Sequence, residues 1–534
     1  MVSKLEKQRL ENIQRNKELL RSLSLDKISY EIKKDVEEKK AETKAKRQKR
    51  KTDTAPKEPI RKSRRLQGIK IEDTEDYQTA MRAKELQQIE EEKLEKLRTM
   101  KLPGNVSLID ILKEQNKDNE IKGEDNDDEK LLSEFSRLSD NFSVGDFYEV
   151  ISKKPTDDKS INKLRKEFKS IDLYEKFLPN QISLTEDRLA IINFHPSNTE
   201  KIIVGGDILG NLGIWNPNSD TDENPAITSF NLHGKHISKI AFSTKKLNNL
   251  YTASYDNSIR CTDLKTLKST EVLGLLDDNG NDIGISDIQL STPNTSSYEN
   301  LLFFTTLTGQ FGSFDIRSKP RTTSISLYRL SDKKIGGFSI NPNANYQLST
   351  GSLDRTLKIW DLRKVNANSN WSEKFPSDAC IHAYGGFSSR LSVSSTDWNS
   401  SGDIVCNGYA DAINIFKLGD TTQWNSDFLY KPKKKSKEII PMTLKPDHVM
   451  KHNCRTGKWV SILKARWQMN PKDGYEKFVI GNMQKFFDVY TANGIQVAHL
   501  GGKSITAVPA VANFHPTENW LVGGTASGKC VLFS

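Results

Sequence analysis

The stretch Gly337-Phe338-Ser339-Ile340-Asn341-Pro342, then Leu348-Ser349-Thr350-Gly351-Ser352, then Leu357-Lys358-Ile359-Trp360-Asp361, decides the fold. It holds three short apolar runs separated by turn residues, each too brief for a helix, which is the pattern of an antiparallel β-meander. The template recurs at both ends of the C-terminal two-thirds. An early copy reads Ala190-Ile191-Ile192-Asn193-Phe194-His195-Pro196, Ile202-Ile203-Val204-Gly205-Gly206 and Leu212-Gly213-Ile214-Trp215. The last reads Ala512-Asn513-Phe514-His515-Pro516, Leu521-Val522-Gly523-Gly524 and Cys530-Val531-Leu532-Phe533. Weaker copies end near Thr262, Phe314, Phe416 and Tyr490, so the third-run markers step by 47, 52, 46, 56, 74 and 43 residues. Seven copies at this period predict an all-β, seven-bladed β-propeller with four strands per blade. A blade cannot cover both faces of its own sheet, so the ring has to close. Because the last copy ends on a third run, the fourth strand of that blade is expected from residues near 180–186, just ahead of the first blade.

Outside the repeats the texture changes. Of the 534 residues, positions 1–180 carry 42 Lys+Arg and 38 Asp+Glu, whereas all 8 Trp, all 8 His and all 5 Cys come later, with 27 of the 31 Gly. So few apolar and aromatic groups cannot offset chain entropy, so 1–180 is expected to be a charged, partly helical, largely disordered region and 181–534 the propeller. Marginal helices that dock on something larger are expected after the capping box Ser3-x-x-Glu6 (Leu10, Ile13, Leu20, Leu23), over 80–101, and along Leu164, Phe168, Ile171 and Tyr174. Charge sign also segregates, with a net +12 over 1–70 and −11 over 71–150. Lys46, Arg47, Lys49, Arg50 and Lys51 form one basic cluster and Arg61, Lys62, Arg64 and Arg65 a second. The pair has the pattern of a bipartite nuclear import signal, a nucleic-acid tether and a solvated charge run being the alternatives, and the nucleus is the expected location.

Several classes are excluded. No run approaches the roughly 18 apolar residues that cross a bilayer, and the charged start does not read as a secretory signal. Five scattered cysteines without a CxxC pair suggest neither a disulfide framework nor a zinc site, and no metal or cofactor is expected. Gly501-Gly502-Lys503-Ser504 lacks the first glycine of a phosphate loop, position 497 being Val497. His195 and His515 sit in Phe-His-Pro turns and read as structural, and Cys454 has no recognisable partner base. The chain is expected not to be an enzyme and to take no small-molecule substrate.

The excess in the 74-residue step forms an insertion at 419–461. Residues 431–458 hold nine Lys or Arg against Glu438 and Asp447, a net +7 in a chain whose total is +10. Such density attracts phosphate through counterion release, the alternative being a flexible solvated loop. Its end, His452-Asn453-Cys454-Arg455-Thr456-Gly457-Lys458-Trp459, reads as a hairpin tip. Lys433, Lys434, Lys435, Lys451, Arg455 and Lys458 are the candidate phosphate contacts, with His452, Asn453 and Trp459 beside them. Trp459 either stacks on a base or anchors the hairpin to the ring.

Ser352-Leu353-Asp354-Arg355-Thr356-Leu357-Lys358-Ile359-Trp360-Asp361-Leu362-Arg363 has the form of a WD-repeat strand pair. Over nearly all its length the chain resembles the fungal DNA damage-binding WD-repeat proteins of the "changed mutation rate" type, relatives of the small subunit of the UV-damaged-DNA-binding complex. The residues carrying the resemblance are Glu6 to Ile13, Arg61-x-Ser63-x-Arg65-Leu66-x-Gly68, the blades, and His452-x-x-x-Thr456-Gly457-Lys458-Trp459 followed by Lys464-Ala465-Arg466-Trp467. The resemblance implies nuclear binding of single- and double-stranded DNA, with preference for UV-damaged duplex. It also implies that Lys451 to Trp459 matches the hairpin that wedges into a lesion, although Asn453-Cys454-Arg455 at the expected tip lacks the aromatic wedge. Trp360-Asp361-x-Arg363 resembles the box by which WD-repeat receptors dock a cullin-type ubiquitin ligase adaptor. An interaction scaffold for such an adaptor or for chromatin proteins is therefore the alternative function.

Overall fold

Each copy of the template folds as an antiparallel meander whose strands are just long enough to bury one layer of side chains. A computed structural model describes residues 104–108, 111, 158–291, 300–318, 325–424 and 443–534. The first blade runs Leu189–Phe194, Ile203–Asp207, Asn211–Trp215 and Ile227–Asn231. Six further groups follow among the described residues, opening with Ile237–Phe242, Ile285–Leu290, Ile335–Ile340, Val393–Trp398, Arg466–Trp467 and Val511–Phe514. Each of these inner strands packs against the next, and Leu189–Phe194 packs against Val511–Phe514, so the ring closes. One parallel pair, Arg329 with Cys380, joins the third and fourth groups into an eight-stranded sheet. The markers 215, 262, 314, 360, 416, 490 and 533 all fall on third strands of their groups.

The last blade contributes only three strands of its own. Its outer edge is met at both ends of the segment 172–184, by antiparallel bridges of Leu173 with Phe533 and Ser183 with Lys529: Tyr174 N donates to Leu532 O at 2.9 Å, Cys530 N to Ile182 O at 2.9 Å and Leu184 N to Gly528 O at 3.0 Å. The closing strand therefore begins earlier than the expected 180–186. Gly528 makes the crossing feasible: its φ is +72°, and a Cβ there would lie 1.9 Å from Thr185 O.

The stripe Leu164, Phe168, Ile171, Tyr174 divides between two elements. Helix α1 (Asp158–Lys169) carries Leu164 and Phe168, both buried against Val489, Phe514 and Phe533 of the last two blades. Ile171 and Tyr174 lie beyond the helix end, and the Tyr174 ring meets Trp215 edge-on at 5.3 Å. A second piece of the charged third is also built in. Val106–Ser107 adds a fifth strand to blade two along Lys268–Gly274, with Leu108 and Ile111 buried among Leu264 and Leu267. The basic clusters at 46–51 and 61–65, and the other two helical stripes, lie outside the described residues.

Candidate nucleic-acid interface

Neighbouring strands in a blade are antiparallel, so links from a fourth strand to the next first strand share a face with the turns between second and third strands. The 451–466 link between blades five and six is of this kind. It follows His448–Lys451, the fourth strand of blade five, whose Lys451 pairs with Ala412. The return from Lys417 to His448 lies at the opposite end of that blade. The expected single basic insertion is thus two segments divided by a strand. Lys433, Lys434 and Lys435 fall in the first segment and lie outside the described residues.

The second segment is not a β-hairpin, because residues 452–465 have no ladder partner. It is held instead by inward side chains. His452 is buried, with Nε2 3.2 Å from Asp488 Oδ2, and Asp488 also accepts from Asn482 at 2.6 Å and from Gln496 at 2.9 Å. Cys454 is buried, 3.5 Å from His452 Nδ1 and 3.8 Å from Asn407. One expectation is corrected here: His452 is buried against Asp488 and unavailable to a ligand. Burial pushes the Cys454 thiol up to about 12.

The turn falls further on, where Val460 N donates to Gly457 O at 3.2 Å. Its outermost residue is Trp459, 76% exposed, with Lys458 Nζ 5.4 Å from the ring centroid. Trp459 therefore anchors nothing, and the tip carries an aromatic ring after all, four residues beyond Arg455. Lys451, Asn453, Arg455 and Lys458 are exposed on the same segment, Arg455 paired with Asp411 at 2.8 Å.

Tertiary structure adds cations that no local pattern marks. Arg188, just after the closing strand, donates from Nη1 to Lys458 O at 2.8 Å and so holds the Trp459 turn against the ring. Ser461 Oγ donates to Leu189 O at 2.6 Å beside it. Burial, with Lys334, Lys464 and Arg188 standing around it, holds the His236 imidazole down to about 3. His236 stacks on Tyr255 at 4.3 Å, and Lys334 Nζ lies 4.7 Å from the Tyr255 centroid. These residues come from four blade links and, for Tyr255, a turn within blade two, which is why no local pattern gathers them.

The Trp360–Arg363 box is occupied internally. Trp360 is buried and donates to Thr350 Oγ1 at 2.8 Å, while buried Asp361 pairs with Arg363 at 2.9 Å and accepts from Tyr384 at 2.6 Å. Neither Trp360 nor Asp361 has surface to offer a partner, a correction to the expected docking trio. Arg363, its side chain 44% exposed, is the member that faces outward, lying over the Tyr346 ring at 3.8 Å. His195 and His515 are buried, each accepting a backbone N–H on Nδ1. Burial holds them down to about 4 and about 3, so both are neutral tie points of the turns.

A closed ring of antiparallel meanders, with exposed cations and an exposed indole on the link between its fifth and sixth blades, defines a WD-repeat binding protein. Residues 325–361 match the family "WD domain, G-beta repeat". Across its whole length the chain is 45% identical to a protein of Scheffersomyces stipitis, 43% to one of Debaryomyces hansenii and 41% to one of Candida albicans, covering 99%, 99% and 100% of them. Each of the three is named DNA damage-binding protein CMR1, and the chain belongs to that family.

Proposed function

We propose that the protein binds DNA in the nucleus through the face that carries Trp459, preferring duplex weakened by damage such as UV lesions and also holding single strands. The observation that carries this reading is the exposed Trp459 at a turn tip beside Lys458, on a turn that Arg188 holds to the ring. Every base has a π-face, so an exposed indole gains most where a base is already unstacked, and that is where a lesion lowers the cost. Lys451, Arg455 and Lys458 supply phosphate contacts that set register without reading sequence. Nothing in the reading requires bond chemistry.

Titration of UV-irradiated and intact duplex at several salt concentrations tests it. Trp459→Ala is expected to lower affinity for damaged duplex about tenfold, the order of one lost stacking contact, and to narrow the gap to intact duplex. Replacing Lys451, Arg455 and Lys458 by Gln is expected to reduce the slope of log affinity against log salt by about 2. A flat salt dependence, or unchanged binding by both variants, overturns the proposal. A rim contact to a ligase adaptor or chromatin protein is the second reading, favoured by the half-exposed Arg363 and the exposed Val365 on one extended strand, Thr356–Asn366. Recovery of the same partners by Arg363→Ala would remove it.

A further inference from the structure

The inner strands enclose a central channel, a cavity of about 240 Å³ whose walls include Lys239, Asp397, Lys464 and Arg466. Most of its polar groups satisfy one another. Asn513 donates to Asn193, whose own amide donates to Ile240 O at 2.7 Å, and Gln289 accepts from Ile340 N at 2.8 Å. Lys239 pairs with Asp287 at 3.2 Å. Asp397 accepts from Trp467 N at 2.8 Å and Ser339 at 3.3 Å, and stands 3.8 Å from Arg466 Nη1.

Several polar atoms of the lining are left over, among them Trp398 Nε1, Asn399 Nδ2, Gln468 Oε1 and Arg466 Nη2. Arg466 is buried and its Nη2 has no hydrogen-bond partner. Lys464 reaches only a backbone carbonyl, Gly336 O at 3.1 Å. The wall thus holds three cations against the two carboxylates Asp287 and Asp397. A cation sunk in a protein wall without a counter-charge either gives up its proton or takes an anion. Burial, with Arg466, Lys239 and Lys334 nearby, brings Lys464 down to about 7. An anion between Lys464 and Arg466 would supply charge-assisted acceptors for both.

We propose that the central channel is a binding site for a small oxyanion of the phosphate class, free phosphate or a phosphomonoester, held by Lys464 and the free Nη2 of Arg466. Lys464 also stands in the cation cluster around His236, but the proposal requires neither Trp459 nor the DNA-binding reading. Thermal unfolding and calorimetric titration of the full chain with orthophosphate and with a deoxynucleoside monophosphate, against chloride at matched ionic strength, test it. Saturable stabilisation by either anion is expected, with affinity falling at least tenfold in Lys464→Gln and in Arg466→Gln and unchanged in Trp459→Ala. Lys464→Gln, at a partly buried position, keeps the test open if Arg466→Gln does not fold. Absence of a saturable response, or equal responses from wild type and variants, overturns the proposal. Loss of DNA affinity in the two variants, without any phosphate response in wild type, also overturns it and assigns the pair to DNA phosphates.

Discussion

Trp360 and Trp459 are the same residue type put to opposite uses, and each makes its own prediction. Trp360 is enclosed in blade four and hydrogen-bonded, so Trp360→Ala is expected to cost about 3–5 kcal/mol in denaturant unfolding. Trp459 has little to lose, and Trp459→Ala is expected to stay within about 0.5 kcal/mol of wild type while weakening DNA binding. The buried histidines give a pH signature. His195 and His515 have folded values below the usual imidazole range, so the unfolded chain binds more protons and stability is lost as pH falls from about 6.5 towards 4. Each contributes about 2–3 kcal/mol to that loss by pH 4. The check is the urea midpoint against pH, where His195→Gln should flatten the acid limb. The structural role of both was readable from the Phe-His-Pro repeats, because the same residue recurred at the same template position.

At the scale of elements, the closing strand and the blade-five link show what local pattern leaves open. Residues 172–184 have no alternating run of their own and are held at two points, near Leu173 and Ser183, because Cys530–Phe533 presents an unpaired edge. A methyl group on Gly528 would collide with Thr185 O in a left-handed backbone, so Gly528→Ala is expected to cost at least about 2 kcal/mol and to expose the strap to proteolysis. Limited proteolysis with N-terminal sequencing of the fragments checks this. The 452–465 link was misread as a hairpin because Gly457 and flanking β-formers are a fair turn signal. The alternation that buries His452 and Cys454 serves Asp488 and Asn407, which lie on other strands, and the tip consequently moves to Trp459.

For the whole molecule, ring closure places the inner strands around one channel and gathers cations that are far apart in the chain. Lys464 illustrates the energetic consequence. Its folded value of about 7 lies below that of a free lysine, so wild-type stability rises with pH between about 7 and 10.5. In chloride buffer Lys464→Met is therefore expected to be more stable than wild type at pH 6–7, by about 1 kcal/mol, with the gain vanishing above pH 10. Chemical denaturation at three pH values checks the sign. Arg188, Lys334 and Lys464 meet around His236 for the same reason, and their meeting is a property of the closed ring rather than of any segment.

The repeat, the strand positions and the need for a closing strand were legible in the amino-acid order, because short apolar runs and turn chemistry are local and recur along the chain. So was the basic character of 431–458, which is composition. The rest was decided by three-dimensional packing: which insertion residues face outward, which box residues are buried, and which cations come together around His236. Those outcomes depend on pairs separated by tens to hundreds of positions, such as Arg188 with Lys458 and His452 with Asp488, and no local propensity encodes a contact whose two halves meet only when the ring shuts.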